Sequence, residues 1–235
     1  MITPVDIDDL FELNPDYEIV SFDGEVLIID NWYKNFDAIQ EFLQNTPVAR
    51  FETDSGVEKD DKNFVDYYDC RLVLTNTALN SKYNATIAEI ESLIHKHAPT
   101  DVSVRFHNQN ALVFNYFKHI NPPEDHKSQA LPHVDSYGMS VLIYLDKVCS
   151  GGTAFYGTVP DETGGTGIRD LTEYRKKFKF VPTRVIEAKP NRMVVIKGRD
   201  WHGAFIEDHS KYVDEWRINQ VHFLDVINNH NKPTE

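Results

Sequence analysis

Leu131-Pro132-His133-Val134-Asp135-Ser136 runs into the apolar stretch Val141-Leu142-Ile143-Tyr144-Leu145. How this stretch folds decides how the chain is read. Branched and aromatic residues bounded by turn-forming ones mark residues 140–146 as a strand. If the preceding segment is also extended, residues two apart lie on one face of it. His133 and Asp135 then point the same way, with an imidazole nitrogen beside a carboxylate oxygen. That pair is two-thirds of a facial metal-binding triad, and the third ligand must come from elsewhere in the chain.

Outward from this stretch the texture is strand-rich. Residues 102–106 and 110–118 precede it, and residues 183–188, 192–197 and 217–223 follow, with the turn Ser150-Gly151-Gly152-Thr153 between. The first hundred residues differ. Asp23-Gly24 is a tight-turn signal between apolar runs at 17–22 and 25–30, which predicts a hairpin. Phe36, Ile39, Phe42 and Leu43 share one face of a helix expected at 33–44. Ile87, Ile90, Leu93 and Ile94 do the same for a second helix at 82–97. Between them, an acidic surface loop is expected at 52–66 and a strand at 67–74. His95 and His97 are two apart on a helix, hence on different faces, and suit the helix C-terminus better than a metal. Helices followed by many short strands give an α+β chain, mainly β, whose second half is a sandwich or barrel.

The 235 residues fit a single domain spanning 1–235, with helical and hairpin support in 1–100 and a strand-rich core in 101–225. A net charge of −13 argues against nucleic acid and anionic membranes as partners, since both need a basic footprint. Cys70 and Cys149 are too few and too far apart for a disulfide framework or a zinc knuckle. The acidic N-terminus lacks an apolar leader, and no apolar run has transmembrane length. A cytoplasmic protein with free thiols is expected.

The third ligand candidate is His202, which follows the strand Met193-Val194-Val195-Ile196. Fifteen residues on, Arg217 opens another apolar strand. A buried arginine needs an anion, and its planar fork suits a carboxylate. Together, His133-x-Asp135, His202 and Arg217 resemble the iron(II)/2-oxoglutarate-dependent oxygenases, in particular their prolyl-hydroxylase-like branch. Two further segments are similar to that branch: Val141 to Asp146 with the following Gly151-Gly152-Thr153-x-Phe155, and Lys189-Pro190-Asn191-Arg192 leading into the strand before His202. The resemblance covers about residues 110–224.

The resemblance implies a double-stranded β-helix (jelly-roll, cupin-like) core with supporting N-terminal helices. It implies that His133, Asp135 and His202 are the catalytic metal ligands for Fe(II). Arg217 and Tyr144 would hold the distal carboxylate of 2-oxoglutarate. Tyr116 would line that pocket, or Asn115 if the strand faces the other way. Asn219 stands where the family often has Ser or Thr and would donate a hydrogen bond instead. The implied cofactors are Fe(II), 2-oxoglutarate and O2, with ascorbate as a supporting reductant. The implied activity is a dioxygenase that releases succinate and CO2 and hydroxylates an unactivated C–H bond. Related halogenases lack the triad carboxylate, so Asp135 points to hydroxylation. The substrate implied is an amino acid, free or within a peptide, with proline first to test. Tailoring of another small metabolite is the alternative. Outside the class, a catalytically silent jelly-roll binding module and a zinc hydrolase using the same three ligands stay open.

Other motifs have plainer readings. Gly164-Gly165-Thr166-Gly167 lacks the Lys-Ser/Thr of a phosphate cradle and fits a lid within residues 157–179 better. Arg169, Arg175, Lys176, Lys177 and Lys179 form a solvated face, or a guide for an acidic substrate.

Overall fold

In chain order the elements are α1 (Ile7–Leu10), β1 (Glu18–Phe22), β2 (Leu27–Asp30), α2 (Phe36–Asn45), β3 (Ala49–Arg50), β4 (Tyr67–Thr75), α3 (Ser81–His97), β5 (Val102–Phe106) and β6 (Ala111–His119). Then follow β7 (Met139–Tyr144), β8 (Gly152–Tyr156), β9 (Pro182–Glu187), β10 (Met193–Lys197), β11 (His202–Phe205), a 3-10 turn (His209–Tyr212) and β12 (Arg217–Asn228). The structure is a computed structural model and describes residues 7–50, 67–75, 81–97, 102–106, 111–119, 132–157 and 182–228. The expected surface loop at 52–66, the lid and its glycines, and the basic residues 169–179 lie outside the described residues.

All the strand pairs are antiparallel. Nine of the strands form one sheet, ordered β1-β2-β10-β7-β12-β6-β4-β3, with β5 paired to the far part of β12. The other three form a small sheet, β11-β8-β9. Strand β7, the apolar stretch that decides the reading, lies inside the large sheet between β10 and β12. Its side chains are apolar because both faces of the sheet are covered there.

The two faces have different covers. On one, Leu112, Phe114 and Tyr116 of β6, Val141 and Ile143 of β7, and Ile218 and Leu224 of β12 pack with the helices in one apolar core. Helix α2 contributes Ile39 and Leu43. Helix α3 contributes Tyr83, Ile87, Ile90, Leu93 and Ile94, spaced three and four apart as an amphipathic helix requires. Each such side chain, fully buried, contributes about 1.5–3 kcal/mol. On the other face, Val26, Ile28, Tyr144, Val194 and Ile196 meet Ile186, Ala188 and Phe155 from the small-sheet side.

The division expected near residue 100 is not a division of the sheet. Strand β2 pairs with β10, and β4 pairs with β6, so the early segments supply strands to the same sheet as the later ones. The hairpin turn is wider than Asp23-Gly24 alone. Phe22 pairs with Leu27, and Asp23 Oδ1 accepts the N–H groups of Glu25 and Val26 at 3.0 and 2.9 Å. Strands β8 and β11, which fall on the Gly-Gly turn and on His202 itself, are not marked by alternation in the sequence. No helix of the described residues is long and apolar enough to cross a membrane.

Candidate metal centre and anion pocket

His133 and His202 are joined first through their backbones. The His133 N–H donates to the His202 carbonyl at 2.8 Å, and the His202 N–H returns the bond at 2.9 Å. This bridge sets the rings 4.7 Å apart at the start of β11. Asp135 follows two residues on, and its N–H donates to the Gly198 carbonyl at 2.7 Å. Gly198 permits that close approach. A Cβ there would stand 2.7 Å from the Tyr137 carbonyl oxygen, 3.0 Å from Ser140 Oγ and 3.2 Å from Asp135 Cβ.

The three side chains converge. One donor atom from each of His133, Asp135 and His202 lies within 4.8 Å of the others. Asp135 Oδ1 is 3.6 Å from His133 Nε2, and Oδ2 is 3.3 Å from His202 Nε2. His202 Nδ1 is 2.8 Å from the Asp200 carbonyl oxygen. A carbonyl only accepts, so Nδ1 carries a proton, and Nε2, which faces Asp135, is the atom that would bind a metal once its own proton is lost. Ser140 Oγ donates to Asp135 Oδ2 from β7. Burial alone would raise the Asp135 carboxyl, but the hydrogen bonds from His202 and Ser140 outweigh it and hold it below the usual range. For His202 burial pulls downward, while Asp135 and the Asp200 carbonyl move it net upward. His202 is buried, whereas the His133 side chain is 55% exposed and marks the open side of the centre.

Two nitrogens and one carboxylate oxygen, with a fixed tautomer and a hydrogen-bonded carboxylate, fit a divalent transition metal with open positions. No sulfur ligand belongs to the set, so a closed structural zinc site is a poor fit.

A second cluster lies on the same face of the large sheet. Asn219 pairs with Tyr144 on one side and with Asn115 on the other, so the three share a face, and Arg217 lies two residues before Asn219 on that face. Arg217 is 7% exposed and donates to the Gly152 carbonyl at 3.5 Å. The Tyr144 hydroxyl is 2.6 Å from Thr153 Oγ1, and burial pushes its pKa up to about 12. Ser140 and Tyr144 also share a face of β7. Four strand residues span about 13 Å, so β7 carries the metal cluster near its start and the arginine cluster near its end.

Tyr116 is not in this row. It pairs with Ile218 on the helix-covered face, donates its hydroxyl to the Leu43 carbonyl at 3.2 Å and meets Trp216 edge-on at 5.7 Å. The strand faces the other way, and Asn115 is the β6 residue beside Asn219. Three more polar residues stand near the site: Ser140, Thr153 and Tyr212. Ser140 could have been found from its two-residue phase with Leu142 and Tyr144. Thr153 shows in the sequence only as the residue after the Gly-Gly turn. Tyr212, which donates to Asp146 Oδ2 at 2.8 Å, has no local signal at all.

No protein-family model and no curated protein matches the chain. Among solved structures it is similar to an oxidoreductase of the 2OG-Fe(II) oxygenase family from Burkholderia pseudomallei, at 13% identity over 88% of this chain and 85% of that one, TM-score 0.45. It is also similar to the non-haem alpha-ketoglutarate-dependent epimerase SnoN from nogalamycin biosynthesis, at 13% identity over 87% and 80%, TM-score 0.43. A third is HygX from Streptomyces hygroscopicus with nickel and 2-oxoglutarate bound, at 10% identity over 86% and 82%, TM-score 0.43. At these identities and TM-scores the likeness assigns no activity, and the case for one rests on the site.

Proposed function

We propose that this protein is an Fe(II)/2-oxoglutarate-dependent dioxygenase on a double-stranded β-helix core, and that it hydroxylates an unactivated C–H bond. The observation that carries this reading is the convergence of His133, Asp135 and His202 within 4.8 Å, on the sheet face that also buries Arg217. A hydrolytic zinc centre would use the three ligands but would give Arg217 no ligand carboxylate to hold.

His133, Asp135 and His202 would hold the iron, which when bound supplies the redox chemistry that couples 2-oxoglutarate decarboxylation to substrate oxidation. The chain's own groups bind and orient. Arg217 pairs with the distal carboxylate of 2-oxoglutarate in the planar geometry its guanidinium favours. Tyr144, neutral because burial raises it, donates its hydroxyl hydrogen toward the same carboxylate. Asn219 and Asn115 add amide donors beside them. Ile186 and Val194, in the apolar cluster that includes Tyr144, exclude water from that end. The exposed side of His133 leaves substrate an approach to the metal. Within this reading, an amino acid, free or peptidyl, is the substrate class and proline the first compound to test. Another small metabolite is the alternative.

Anaerobic titration with Fe(II), followed by 2-oxoglutarate, tests the class. A visible charge-transfer band should appear only when both are present, and aerobic turnover should yield succinate. His202→Ala should abolish both. Iron binding without such a band, and without succinate from any substrate, would sink the oxygenase reading.

A further inference from the structure

Asp146 lies one step beyond the paired part of β7. Tyr144 pairs with Asn219, and the Leu145 N–H donates to the Ile218 carbonyl at 2.8 Å, which extends the ladder by one residue. The same register brings Asp146 beside Arg217, on the face that carries Tyr144. The two groups interact through their charges. Asp146 is 1% exposed. Its Oδ2 accepts the Tyr212 hydroxyl at 2.8 Å, and its Oδ1 has no hydrogen-bond partner among the described residues. The Tyr212 oxygen itself accepts the Ser150 N–H at 2.9 Å, so its one hydrogen is committed to Asp146. A hydrogen bond from that donor is stronger when the carboxylate is ionised.

We propose that Asp146 is the counter-charge of Arg217, and that it takes up one proton from solvent when an anionic co-substrate carboxylate binds Arg217. This rests on Arg217 being the 2-oxoglutarate clamp proposed above.

The charge count gives the reason. Before an anion binds, one guanidinium faces one buried carboxylate. Among the described residues Arg217 makes no direct ion pair, and its one hydrogen bond, to Gly152, is long. A ligand carboxylate makes two negative charges against one positive in a desolvated pocket, and like charges there cannot both stay ionised at neutral pH without large cost. One of them must be neutralised. The ligand carboxylate gains the guanidinium fork directly, so Asp146 is the group that protonates. Burial already pushes it in that direction, with Arg217 pulling the other way. The other titratable groups around it cannot serve. The Tyr144 and Tyr212 phenols and the Cys149 thiol, which donates to the Asp146 backbone carbonyl at 3.6 Å, are all raised by burial and are already protonated. Arg192 is held by Asp30. Protonated, Asp146 keeps its bond from Tyr212, so the pocket need not rearrange.

The consequence is a co-substrate affinity that weakens as pH rises, by up to tenfold per pH unit where the coupling is complete. Calorimetry tests it: 2-oxoglutarate is titrated anaerobically into the Fe(II)-loaded enzyme near neutral pH, in phosphate and in Tris, whose ionisation enthalpies differ. The wild type should take up about one proton per ligand bound. Asp146→Asn should take up none and bind with an affinity independent of pH. Tyr212→Phe removes a donor to the ionised form, so its decline in affinity should begin at higher pH. Uptake that is absent in the wild type, or unchanged in Asp146→Asn, overturns the proposal and leaves the oxygenase reading standing. If Asp146→Asn does not fold, Tyr212→Phe decides alone, and a pH profile identical to the wild type overturns it. Failure of the wild type to bind 2-oxoglutarate overturns the Arg217 reading itself.

Discussion

The Ser140 hydroxyl donates to Oδ2 of Asp135 from a position on β7 that is 1% exposed. A metal-binding carboxylate left to rotate must lose that freedom when the ion binds, whereas one already held has less to lose. Ser140→Ala should therefore weaken Fe(II) or Co(II) binding by on the order of 10–100-fold. Titration of the folded variant with Co(II) checks this, and Ser140→Thr should restore much of the loss. Equal affinities in Ser140→Ala and the wild type would leave the hydroxyl without a role at the metal. Arg217 gives a complementary expectation. Arg217→Ala should keep its iron but raise the KM for 2-oxoglutarate by on the order of 30-fold, the effect of removing one partner of a buried charged pair. An unchanged KM would remove Arg217 from the co-substrate site. At this scale the spacing His133-x-Asp135 was readable because an extended chain puts alternate residues on one face. Tyr116 was not, because β6 carries Leu112, Phe114 and Tyr116 against the helices and Asn115 and Phe117 on the other face, and both sets include large side chains. A strand covered on two sides has no polar face to reveal its phase.

Among the elements, β2 shows how an N-terminal strand is tied to the core. Asp30 at its end accepts two hydrogen bonds from Arg192, at 2.6 Å from Nε and 2.9 Å from Nη2. Arg192 also donates to the Glu187 carbonyl at 2.9 Å, and its side chain is 6% exposed. Asn191 completes the junction. Its side-chain oxygen accepts the Tyr33 N–H and its amide donates to the Tyr33 carbonyl, both at 2.8 Å. Asp30→Ala leaves a guanidinium buried with one acceptor, which should cost about 3 kcal/mol of stability. Urea unfolding of the two proteins measures it, and a loss below about 1 kcal/mol would place this pair with ordinary surface ion pairs. The Gly-Gly turn has a similar local necessity. Gly151 has φ of 76°, and a Cβ on it would fall 2.1 Å from the Phe205 carbonyl oxygen, which is why the turn between β7 and β8 admits no side chain there.

Across the whole molecule, the helix-covered core contains a buried polar chain. The Tyr33 hydroxyl donates to Gln220 Oε1 at 2.7 Å, and Gln220 Nε2 lies 2.9 Å from His222 Nε2. An amide nitrogen only donates, so His222 Nε2 must be the unprotonated acceptor. Phe106 lies edge-on to its ring at 5.5 Å and Tyr83 stacks at 6.3 Å. Burial lowers the His222 pKa from 6.5 to about 4. Below pH 6.5 the unfolded chain binds a proton that the folded chain refuses. Stability is therefore lost as pH falls from 6.5 toward 4, by about 3 kcal/mol in all, and no further from this group below that. His222→Gln should remove this part of the acid slope. Thermal melts of both proteins across that range check it, and parallel curves would show that His222 does not contribute.

By itself the sequence determined the donor types, the extended pairing of His133 with Asp135, the apolar stripes of α2 and α3, and the burial of β7, because each follows from residues near one another in the chain. Only the tertiary structure decided that β2 joins β10, that β6 turns Asn115 rather than Tyr116 toward Asn219, and that Asp146 and Tyr212 stand beside Arg217. Those relations depend on the register between strands distant in sequence. A shift of one residue in that register reverses every side chain's face, and no local pattern records it when both faces are covered.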